Sequence, residues 1–216
     1  MTPDFQTAAI KAVQTLIDFK ITATPVSPLP ILKKIPGVIV VPFAEVAHRI
    51  GMERENLIDI FGNESRAAVT TIRQADGETR YIVAYNQQIP FVLLQRALAR
   101  ELGHIVLGHD GSRPVDVRMS EAYCFALHLL CPRPLIHALK GSLTVETLGN
   151  LTGCYQGCIE RMHRLPGVHV PPELNRKVKE QFSDYVKEFM RYHDIIADED
   201  HSAPVDFGAY MEGYEE

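Results

Sequence analysis

Glu101 and His104 stand three residues apart, and His109 follows five residues later, in the run Arg100-Glu101-Leu102-Gly103-His104-Ile105-Val106-Leu107-Gly108-His109. A carboxylate and an imidazole at that separation share one face of an α-helix. Zinc-peptidase helices of the pattern H-E-x-x-H use such a face. Two imidazoles four residues apart hold the metal, and the glutamate takes a proton from the metal-bound water. Here Glu101 stands in the base position and His104 in the second-ligand position, but Arg100 occupies the place of the first ligand. A neutral imidazole lends a lone pair, whereas a guanidinium has none and keeps its charge at ordinary pH. Whether the chain is an enzyme turns on that residue.

A third ligand would come from the next helix, and Glu121 is the candidate, because Ser120 can cap a helix that Glu121 opens. His109 is the substitute for the missing histidine. In an uninterrupted helix it lies about 140° around from His104 and points elsewhere. A zinc site of His104, His109 and Glu121 therefore requires the helix to break at Gly108. Arg100 offers a different arrangement, in which its guanidinium pairs with Glu121 and supplies the positive charge that zinc would bring. Gly103, inside the helix, costs about 1 kcal/mol relative to alanine, so close approach of another backbone is expected there. His128, Cys124 and Cys131 form a stripe on the Glu121 helix, for which core packing is the simpler reading.

Around these residues the periodicity predicts a frame. Phe5, Ala9, Val13, Leu16 and Ile17 give a helix from about residue 4 to 19. Val38 to Val41 is β-branched and reads as a buried strand, and 42 to 52 as a short helix. Runs at 67–73 and 80–85 flank Asp76-Gly77, the signature of a hairpin turn. Pro90 suits the start of the motif helix, about 91 to 108, and Gly111, Ser112 and Pro114 end it. A helix from Ser120 to Cys131, small helices over 133–165 and a charged helix over 172–193 follow. From Ile195 onward there are seven acidic residues and no lysine or arginine, which predicts a disordered tail. The expected organisation is a domain over 1–140, a helical extension over 141–193 packed on it, and an acidic tail over 194–216.

The chain has 216 residues, enough for a proper core, and a net charge of −5, which argues against a surface given over to nucleic acid. No apolar run is long enough to span a bilayer, and the first residues lack a basic leader. Cys124 and Cys131 would lie about 10 Å apart along one helix, too far to bridge. A reduced, cytoplasmic protein is expected.

Tyr81-Ile-Val-Ala-Tyr-Asn86, the motif helix ending Leu107-Gly108-His109, and Glu121-Ala122-x-x-Phe125-Ala126-x-x-Leu129-Leu130-Cys131-Pro132 together resemble the ImmA/IrrE family of zincin-type metallopeptidases. The resemblance covers about residues 5 to 140. It implies an α+β zincin-like domain, a small antiparallel sheet packed on helices. It further implies Glu101 as base, His104 as a zinc ligand, a helix glutamate as another, and a helix-turn-helix repressor of a mobile element or stress response as the protein acted upon. Arg100 departs from the family's first zinc histidine. In some relatives the carboxylate ligand lies slightly upstream of the E-A pair, where this chain has Met119. The expected function is thus that of a metallopeptidase-like protein with a degenerate zinc site, acting through a protein partner. An active zinc endopeptidase using His109 as an unconventional ligand is the alternative.

Residues 145 to 165 carry a helix-turn-helix rhythm, with Gly153 at the turn, Ile159 and Met162 as anchors, and Arg161, His163 and Arg164 facing phosphates, which gives a DNA-binding regulator as a further alternative. Two ordinary packed helices satisfy the same pattern, and Glu160 would repel DNA. The spacing of Cys154, Cys158 and His163 is not that of a zinc knuckle.

Overall fold

Ala8, Ala12, Val13 and Leu16 recur at helical spacing, and all are buried on one face of α1 (Phe5–Asp18). Asp4 caps it, its carboxylate accepting from the Thr7 N–H at 2.9 Å. The structure is a computed structural model that describes residues 1–53, 55–56, 68–73, 79–139, 145–154 and 168–200. After α1 come α2 (Pro28–Lys34), β1 (Val38–Pro42), α3 (Phe43–Ile50), β2 (Ala68–Arg73) and β3 (Thr79–Tyr85). The two longest helices of the site follow, α4 (Phe91–Val106) and α5 (Val115–Leu130). The described chain ends with α6 (Arg133–Leu139), α7 (Val145–Thr152), α8 (Pro172–Gln181) and α9 (Ser183–Asp200).

The sheet has the order β1-β3-β2. β2 and β3 form the expected antiparallel pair, with Ala68 opposite Ala84 and Arg73 opposite Thr79, while the turn at Asp76-Gly77 lies outside the described residues. β1, however, runs parallel to β3, with Val38 opposite Tyr81 and Pro42 opposite Tyr85. The expected antiparallel sheet is therefore corrected to a mixed one. A parallel partner needs a long crossover, and residues 43 to 78 provide it. The buried strand expected at Val38–Val41 is corrected too. Among the described residues β1 has β3 as its neighbour on one side only, and Ile39 is 47% exposed.

Three boundaries also differ. α5 starts directly after Pro114, so Ser120 lies inside it and Glu121 does not open it. Pro114 holds φ at −52° and its carbonyl accepts from Arg118 N–H, while Asp116 in the first turn complements the helix dipole. The helix expected over 172–193 is two helices, separated at Phe182, whose side chain is buried. The second continues to Asp200, so the first part of the expected tail is helical. Residues 201–216 lie outside the described residues.

α1 and α4 both pack against α5, and Leu16, Leu98, Leu102, Phe125 and Leu129 are fully buried between them. β3 adds Val83 to the same core, and α8 lies on α1 and α6. Gly103 is where α4 meets α5 most closely. A Cβ there would stand 3.0 Å from the Phe125 ring, 3.1 Å from the Ala122 carbonyl oxygen and 3.2 Å from Ala122 Cα. Two of these neighbours are backbone, so the glycine is needed for close helix approach. Gly103→Ala is expected to lower stability by about 1–2 kcal/mol in urea unfolding, the overpacking cost exceeding the gain in helix propensity. An unchanged or raised midpoint would show that α5 yields. Among the described residues no helix is long and apolar enough to cross a membrane.

Candidate functional site

The site forms where α4 ends. Leu107 closes the helix and Gly108 takes a left-handed φ of +67°. Gly108 N–H then donates to the Ile105 carbonyl at 3.1 Å, and His109 N–H to the His104 carbonyl at 3.0 Å. These are the two bonds of a Schellman cap, which glycine adopts without a Cβ penalty. The cap turns His109 back over the last turn, beside the residue five positions earlier. The break at Gly108 that a joint site requires is thus present. The two rings meet edge to face with centroids 4.9 Å apart, and their Nδ1 atoms are 2.7 Å apart.

His109 extends the chain of contacts to α5, since its Nε2 lies 3.0 Å from Oε2 of Glu121. Glu121 is 2% exposed and is gripped from further directions. Arg113 places Nη1 2.8 Å from Oε1 and 2.7 Å from Oε2, and the backbone N–H of Asp4 donates to Oε1 at 2.7 Å. Arg118 steadies the loop by donating from Nε to the Arg113 carbonyl at 3.0 Å. The cation on Glu121 is therefore Arg113, and the pairing considered for Arg100 is corrected. Arg100 instead pairs with its neighbour, Nη2 to Oε1 of Glu101 at 3.0 Å.

For neutral rings, the bonding sets the tautomers. A carboxylate only accepts, so His109 Nε2 carries hydrogen toward Glu121, and its Nδ1 is left as the acceptor. The 2.7 Å contact then needs His104 to donate from Nδ1, which leaves His104 Nε2 unprotonated. Burial pushes His104 down to about 4, helped by its neighbours His109, Arg100 and Arg118. His109 is also lowered, mainly by burial, with Glu121 opposing. Burial raises Glu101 above the usual carboxylate range, against the pull of Arg100. A cavity of about 220 Å³ opens here, lined by Glu101, His104, His109, Asp110, Arg118 and Met119. Chemically, the cavity offers one imidazole lone pair and a buried carboxylate, two groups able to accept a proton, with Arg118 as a fixed positive charge.

The sequence named Arg100, Glu101, His104, His109 and Glu121, and the fold brings the three residues His104, His109 and Glu121 into one contiguous chain. They are linked in series and do not converge on a common point. Two nitrogens sharing a tetrahedral zinc would be about 3.3 Å apart, given bonds of about 2.0–2.1 Å. Among the described residues, no three His, Cys, Asp or Glu side chains are arranged as a metal centre requires. In this arrangement the Nδ1 atoms of His104 and His109 stand 2.7 Å apart, closer than a shared zinc would hold them.

Arg113, Arg118 and the Asp4 N–H escaped sequence reasoning. Arg113 lies in an aperiodic break, and Asp4 is 117 positions from its partner, so neither has a local signal. His128 is buried, away from the Glu121 contacts, and Cys124, Cys131 and Cys154 are buried thiols. Leu148 is buried and Gly153 has a φ of +66°, as expected of a turn, but Cys158, Ile159, Glu160, Arg161, Met162, His163 and Arg164 lie outside the described residues. Compared with protein-family models, curated proteins and solved structures, the chain matches none.

Proposed function

We propose that the chain is an ImmA/IrrE-type metallopeptidase-like protein, zincin-like in its fold, whose degenerate zinc site is closed by internal ion pairs. In this reading it acts on a regulatory protein partner by binding and does not cut it. The partner class is a helix-turn-helix repressor of a mobile element or stress response, as the motif resemblance implies. The observation that carries the reading is the saturation of Glu121. Both of its oxygens already face Arg113, and His109 and the Asp4 N–H take further positions. A protein cation thereby occupies the place on the carboxylate that a metal would need, and Arg100 removes a second donor.

An active zinc endopeptidase is the second reading, and the unprotonated Nε2 of His104 beside Glu101 favours it. It would require Arg113 to leave Glu121 and the contact between His104 and His109 to open. The two readings separate when the zinc-supplemented protein is mixed with a helix-turn-helix repressor encoded beside it. A complex on size-exclusion chromatography with the repressor intact is expected, unchanged in Glu101→Gln. Cleavage that disappears in Glu101→Gln would sink the non-catalytic reading.

A further inference from the structure

A second cavity, of about 240 Å³, lies away from the Glu121 chain, between α5 and α6 on one side and α8 on the other. Its polar lining comes from His128, Arg133, His137, His169, Asn175 and Lys179, and among the described residues no aspartate or glutamate lines it. Such one-signed walls concentrate counter-ions. His128 is 1% exposed, and neither of its ring nitrogens has a hydrogen-bond partner among the described residues. Buried polar groups are nearly always satisfied, and an orphaned ring at a cavity wall calls for an acceptor inside the cavity.

The surrounding positions are held in advance. Arg133 donates from Nη1 to the Val168 carbonyl at 3.2 Å, and Asn175 from its amide to the Val170 carbonyl at 3.1 Å. The backbone of His169 is bonded on both sides by the Gln6 amide, with its N–H donating to Gln6 Oε1 at 2.8 Å. Lys179 reaches the cavity from α8 and makes no ion pair among the described residues, whereas nearby Glu173 and Glu180 pair with Lys177 and Arg176.

We propose that this cavity binds a phosphate group, with Arg133 and Lys179 supplying charge and His128 a ring N–H. Donors arriving from several elements suit a tetrahedral ion with oxygens in all directions, and the small volume suits a phosphate or a compact monoester. Burial pushes His128 down to about 4, with Arg133 adding to the effect, as expected for an imidazole kept without its anion.

Isothermal titration of the full chain with inorganic phosphate, and in a second arm with ethyl phosphate, tests this against sodium chloride of matched ionic strength. Saturable one-site binding is expected. Lys179→Glu, at an exposed position, should weaken it about tenfold or more, the loss of one charge-assisted contact. Tighter binding of the ester would assign a carried phosphate, and tighter binding of the inorganic ion a free one. Absence of binding beyond the chloride control overturns the proposal. So does binding that Lys179→Glu leaves unchanged while circular dichroism shows the variant folded.

Discussion

Replacing Glu121 by alanine is expected to destabilise the protein by about 3–5 kcal/mol, more than any other change at the site. The side chain is buried and unites Arg113, His109 and the backbone N–H of Asp4. Its removal strands a guanidinium, an imidazole N–H and an amide N–H at once. Unpaired buried donors cost their full desolvation. Arg113 is 36% exposed and can swing partly into water, which places the loss toward the lower end of the range. Glu121→Gln keeps the shape and an acceptor oxygen, so it should fall between wild type and alanine. Urea unfolding measures this directly. An alanine variant within about 1 kcal/mol of wild type would mean that the contacts to Glu121 do not hold the site together.

The second large effect is loss of stability in mild acid. Burial pushes both His104 and His128 down to about 4, from an ordinary value of 6.5. As pH falls below about 6.5, the unfolded chain takes up protons at these positions while the folded chain does not. The stability they preserve is therefore complete above about 6.5 and disappears progressively down to about 4. Each histidine contributes at most roughly 2 kcal/mol of that loss at pH 5, and His104, which is less deeply buried, contributes less than His128. Glu101 works the other way, because its raised value makes the folded state gain as pH falls. The net expectation is a fall of about 2–3 kcal/mol between neutral pH and pH 5 in chemical denaturation. His128→Phe should flatten the profile, and an unaltered slope in that variant would contradict the assignment.

Periodicity made the long helices legible, since α1 and α4 each bury a stripe that the sequence displays at helical spacing. The glycine signals were legible as well. Gly103 marked a close helix approach, and Gly108 marked the break on which the position of His109 depends. Here a local motif carried three-dimensional information, because a Schellman cap fixes how the next residue returns. Caps were less readable. Ser120 looked like an N-cap, but Pro114 had already set the backbone and started α5 earlier. The parallel pairing of β1 with β3 had no local signature, because it depends on where a long crossover returns. Arg113 was invisible for the same reason. Its role comes from the reach of a long side chain out of an aperiodic loop, and the nearer Arg100 drew the expectation toward the wrong cation. Sequence thus named the histidines and carboxylates of the site, while the cation that joins them was set by tertiary geometry.

Zinc content bears most directly on whether the site has exchanged a metal for internal ion pairs. The purified chain, incubated with zinc and then dialysed, is measured by mass spectrometry of the metal against protein concentration. Near-zero zinc is expected, since Arg113 holds Glu121 and Arg100 takes the place of a ligand. One zinc per chain, retained through dialysis and lost in His104→Ala, would contradict the internal ion-pair reading and restore the peptidase.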